Sequence, residues 1–142
     1  MNKFITTQIA IAIGLVSGTM IISPNVQAAT WHKGTPKAIR GNWRHYTTKN
    51  GQYTHNIGKS VIWNGNGPWA TRKETKIRYY KYNAHYYRVQ GIYPGTEFHP
   101  EVKLDYLIAR NGKTLKLISY NKFVKNHHQT TGLIATYRPA GY

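Results

Sequence analysis

The sequence predicts an all-β domain of about six to eight short antiparallel strands, closed into a barrel or folded into a sandwich. Three observations predict it. No long stretch repeats apolar residues at helical spacing. The 12 tyrosines and the β-branched residues fall in short runs, a composition that suits a pleated, half-buried surface. Asn-Gly and Gly-Pro dipeptides punctuate those runs and mark turns. An antiparallel sheet of this size tends to close, because closure removes exposed strand edges.

The elements follow in order. Residues 1–28 read as a secretory signal. Lys3 supplies a positive start, residues 5–22 are mostly apolar, Pro24 breaks any helix, and Val26-Gln27-Ala28 ends in small residues. Cleavage there predicts one mature domain, residues 29–142, with no transmembrane segment left. "TPKAIRG" predicts a short N-terminal helix, with Thr35 as cap, Pro36 in the first turn and Gly41 as stop. A strand is expected over residues 42–48 and another over 59–63, with "NGNGPW" at 64–69 as a loop. Residues 75–82 and 85–93 predict a hairpin turning at Asn83-Ala84. "KLDYLIAR" and "KTLKLISY" predict a second one turning at Asn111-Gly112. "NKFVKNHHQTTG" reads as a basic loop, and residues 133–137 as a last strand.

Charge narrows the function classes. The full chain carries +16, and loss of Lys3 with the signal leaves +15, against four acids: Glu74, Glu97, Glu101 and Asp105. Such a field attracts polyanions and weakens with salt. The chain has no cysteine, which excludes thiol chemistry and cysteine-based zinc sites and leaves stability to packing.

A short helix followed by Gly-x-Trp at the start of the first strand, here Gly41 and Trp43, resembles the lipocalin or calycin arrangement. The resemblance implies an up-and-down barrel whose closed end is plugged by the tryptophan. It also implies a basic residue from near the end of the last strand, here Arg138, packed over the indole. The stretch "ATWHKGTPKAIRGNWR" is also similar to the start of small secreted proteins of Gram-positive bacteria, which bears on location more than on activity.

Few residues suggest catalysis. Glu97, His99 and Glu101 alternate in "GTEFHPE", so in an extended segment they would share one side as a metal or acid–base trio, but Pro100 favours a surface turn. His127 and His128 diverge in a strand, and no cofactor or metal motif is present. A secreted ribonuclease would need a set such as Glu74, Arg78 and His85, which nothing in the spacing demands. Binding rests on more residues. Lys76, Arg78, Tyr80 and Tyr82 fall on one face if no bulge intervenes, and Tyr86 and Arg88 share a face of the partner strand. Lys122 and Lys125 add charge on a neighbouring loop. Cations hold anionic groups, and rings stack sugars or bases. Part of the tyrosines must instead fill the core of so small a domain.

The sequence therefore predicts a secreted, non-enzymatic binding protein for anionic cell-wall polymers or acidic glycans, held at the cell surface by charge or released. Nucleic acid remains a further polyanion. A small apolar ligand in the barrel interior is the alternative, and the ribonuclease is a weaker one.

Overall fold

The computed structural model describes residues 30–47, 51–66, 71–131 and 135–139. The signal segment, the turn at residue 50 and residues 67–69 of "NGNGPW" lie outside them, as do residues 133–134 of the last expected strand.

The strands are β1 (His32–Lys33), β2 (Gly41–Thr47), β3 (Gly51–Ile57), β4 (Ile62–Asn66), β5 (Thr71–Lys81), β6 (Tyr87–Tyr93), β7 (Val102–Asn111), β8 (Thr114–Ser119) and β9 (Ala135–Pro139). From β2 to β9 each strand pairs antiparallel with the next, and β9 pairs back with β2. Eight strands thus form a closed up-and-down barrel. β1 lies outside the ring, paired to β5 at Tyr79 and Arg78.

Alternation along the strands builds the inner core. Trp43, Ile57, Ile62, Ile77, Val89, Ile108 and Leu115 are all buried in one cluster. At one end of the barrel a single 3₁₀ turn, Lys37–Ile39, closes the floor with Ile39. The expected N-terminal helix is this one turn, and Thr35 does not cap it. The Thr35 side chain is buried and donates instead to the Gly58 carbonyl at 2.5 Å, while Arg40 donates to the Thr35 carbonyl at 2.8 Å. Trp43 does face the floor, and its indole N–H donates to the Ile39 carbonyl at 2.9 Å. Gly41 has φ +139°, a conformation that admits few residues but glycine.

Four expectations change. β3 forms where the sequence predicts no strand, because "QYTHNI" carries one strongly apolar residue. β4 begins at Ile62, so Asn64–Asn66 are strand rather than loop. The basic loop after β8 opens with a short helix, α1 (Tyr120–Lys125), held by the fully buried Phe123. α1 packs Phe123 with Tyr82, Tyr86, Leu107 and Ile118 into a second core on the outside of the barrel wall. Finally, the β7–β8 turn is Gly112-Lys113, closed by the Asn111–Thr114 pair, and Gly112 alone takes positive φ there.

The β5–β6 hairpin forms as expected, with Asn83 Oδ1 accepting from the His85 and Tyr86 amides at 2.8 Å. A bulge does intervene, however. Lys76 and Ile77 together oppose Gly91, and Lys76 has φ +50°. The bulge resets the alternation, so Glu74 and Ile77 both face inward although three residues apart.

Candidate functional site

Two groups of residues stand out: a cation–aromatic face on the outside of β5 and a polar cluster inside the barrel.

The outer face keeps part of the expected set. Lys76 is exposed in the bulge, and Lys122 and Lys125 are exposed on α1. Arg78 is exposed, lies 4.4 Å over the Trp31 ring and donates to Gln90 Oε1 at 3.0 and 2.7 Å. Tyr80 is half-buried, edge-on to Trp31 at 4.6 Å. Three expected ligand residues are otherwise engaged. Tyr82 and Tyr86 are buried in the outer core beneath α1, and that burial pushes both phenols up, Tyr82 to about 12. Arg88 makes a two-pronged pair with Asp105, at 2.9 and 2.6 Å, and its guanidinium sits 3.5 Å over the Tyr120 ring. Those bonds hold its charge more firmly than usual.

Sequence reasoning missed three members of this face, Trp63, Lys73 and Trp31. Trp63 is 43 % exposed, and Lys73 lies 5.4 Å over its ring. They meet because β4 and β5 pair Trp63 with Lys73, a register the sequence does not display. Trp31 joins from the other side through β1.

Arg138 does not cover Trp43. It is exposed, one residue from the inward Tyr137, while the Arg110 guanidinium lies 5.7 Å over the indole. The strand pairing puts Arg138 beside Arg44 on the outer side.

Charge on this surface is barely offset. Among the described residues Arg88–Asp105 is the one ion pair. Glu74 is buried, and Glu97 and Glu101 are exposed in the β6–β7 loop. The trio with His99 does not converge, and no three His, Asp or Glu side chains gather among the described residues. Nor does any described helix have the length and apolarity to cross a membrane.

The interior cluster centres on Glu74, 1 % exposed. The Tyr106 hydroxyl reaches both of its carboxylate oxygens at 3.2 Å, and Asn64 Nδ2 lies 3.4 Å from one. Asn64 also donates to the Tyr93 hydroxyl at 2.6 Å. No cation pairs with Glu74 among the described residues, and burial pushes its carboxyl up to about 7, against the pull of those two hydrogen bonds. His55, packed edge-on to Tyr137 at 4.4 Å, is pushed down to about 4, first by burial and further by His45. Arg78 and His85 stand outside the barrel, so Glu74, Arg78 and His85 are not assembled.

Comparisons with protein families, with characterised proteins and with solved structures find no match to this chain.

Proposed function

We propose that this protein is a secreted cationic binding module that associates with anionic polymers of the cell envelope through the outer face of β5. The observation that carries the reading is the line of cation–aromatic pairs there, Lys73 on the exposed Trp63 and Arg78 on the half-buried Trp31, with Lys76 between them and no acid opposing them among the described residues. Cations recognise phosphate or carboxylate groups, and indole faces hold the sugar units between them. The signal-like first 28 residues support export to where such polymers occur.

In this reading the scaffold is of lipocalin kind, supported by the Gly41-x-Trp43 start after a helical turn and by the closed eight-strand ring. Its interior serves stability rather than carriage of an apolar ligand. Isoleucine, leucine and Trp43 fill one core cluster, and Glu74, Asn64, His55 and tyrosines pack beside it, His55 paired across from Trp43 and Glu74 across from Ile62.

The test is co-sedimentation with purified cell walls, with and without their anionic polymers, across a salt series. Binding should require the polymer and fall steeply with salt. Replacing Lys73, Lys76 and Arg78 together should abolish most of it with the β spectrum unchanged. Binding indifferent to polymer, salt and these residues would reject the reading.

A further inference from the structure

A second site lies where the barrel wall opens. β8 reaches only Ser119, which pairs with Tyr106, before the chain turns into α1. The preceding residues of β7, Val102–Asp105, therefore pair with β6 alone. Between this overhang and α1 is an open cleft of about 660 Å³. That volume is in the usual range for small-molecule sites.

Its lining is mixed in a specific way. Leu104, Tyr106, Leu117 and Val124 supply its apolar part. Tyr106 is fixed from behind, because its hydroxyl is bonded to Glu74. Asp105, Ser119 and Asn121 supply acceptors and donors, and Tyr120 a ring. Two of these are held rigidly. Arg88 and Gln90 clamp the Asp105 carboxylate, with Gln90 at 3.0 Å, and the same Arg88 stacks on Tyr120. Arg88 offsets the charge of Asp105, so Lys103 is the one uncompensated charge in the lining.

We infer that this cleft binds a single pyranose unit bearing an anionic substituent. A sugar ring has apolar C–H patches and a rim of hydroxyls that both donate and accept, which matches a lining that combines apolar groups with fixed polar groups of both kinds. A purely apolar ligand would strip water from Asp105, Ser119 and Asn121 without replacing their hydrogen bonds. A bare anion would leave the apolar part unused. Lys103 selects a carboxylate or phosphate on the sugar. Its lining contains no residue of the β5 face, although Gln90 bonds both Asp105 and Arg78.

The experiment is an amide NMR titration of the protein with methyl glucuronide, with methyl glucoside and inorganic phosphate as controls at equal ionic strength. Shifts should centre on Lys103, Ser119, Tyr120 and Asn121, be weaker with the glucoside and be absent there with phosphate. Lys103→Gln and Asn121→Ala should each weaken glucuronide binding about tenfold, the loss of one well-made polar contact. Replacing Lys73 and Lys76 should leave it unchanged, so failure here and failure of wall binding are separable. Shifts scattered over the surface, shifts reproduced by phosphate, or binding that survives both cleft substitutions would overturn the inference.

Discussion

The Glu74 carboxyl occupies the place of a side chain that Gly91 does not have. A Cβ on Gly91 would stand 2.1 Å from Glu74 Oε1 and 2.6 Å from its Cγ. The bulge opposite Gly91 and the missing side chain are thus one device: together they let a carboxyl enter the barrel beside Asn64 and Tyr106.

Gly91→Ala should therefore destabilise the fold by about 1–3 kcal/mol, the usual cost of overpacking. Truncating the carboxyl should relieve it. In a double-mutant cycle read by urea denaturation, Glu74→Ala with Gly91→Ala should cost less than the two single losses summed. Simple additivity would mean that the two residues do not compete for space.

Stability against pH should show two opposed slopes. Glu74 is held up at about 7 in the fold, against an ordinary value of 4.5. Between these the folded state keeps a proton that the unfolded chain has lost, so this group lowers stability as pH rises, by about 3 kcal/mol in all. His55 is held down at about 4 against 6.5, so between those values the unfolded chain binds the extra proton and stability rises with pH. The two nearly cancel where the windows overlap. Glu74→Gln should make the protein markedly more acid-sensitive across the His55 window. His55→Gln should make it lose stability as pH rises towards 7. Denaturation midpoints for the parent and both variants decide this, and three parallel profiles would contradict it.

The two arginines of the β5–β6 hairpin should separate by phenotype. Arg78→Ala should reduce binding to anionic polymer and flatten its salt dependence while thermal stability stays nearly constant. Arg88→Ala should instead cost about 1–3 kcal/mol, because it strands Asp105 and uncovers Tyr120. If Arg88→Ala weakened wall binding at unchanged stability, Arg88 would belong with the binding residues after all.

At the barrel floor, Arg110→Ala should destabilise by about 1 kcal/mol through loss of the cation over Trp43 and of its bond to the Gly112 carbonyl at 3.0 Å. Arg138→Ala should change stability by less than about 0.5 kcal/mol, as expected of an exposed position. Equal effects in thermal melts would restore Arg138 as the partner of the indole.

The sequence by itself determined the elements whose signals are local. Tyrosine and β-branched runs announced most strands, the Asn83 and Gly112 regions announced two hairpins, and Gly41-x-Trp43 announced the plugged floor. These depend on side-chain alternation and turn chemistry within a few neighbouring residues. It also determined the excess of positive charge, which needs no geometry. Tertiary structure alone decided which cations are free. Arg88 and Arg78 look alike in sequence, and only the β6–β7 register, which sets Arg88 near Asp105, neutralises the one and spares the other. The Trp63–Lys73 pair, the cover of Trp43 by Arg110 and the entry of Glu74 beside Gly91 are of the same kind. Each joins residues that are 10 or more positions apart, so strand register and one bulge fix them. No local pattern of residues carries that information.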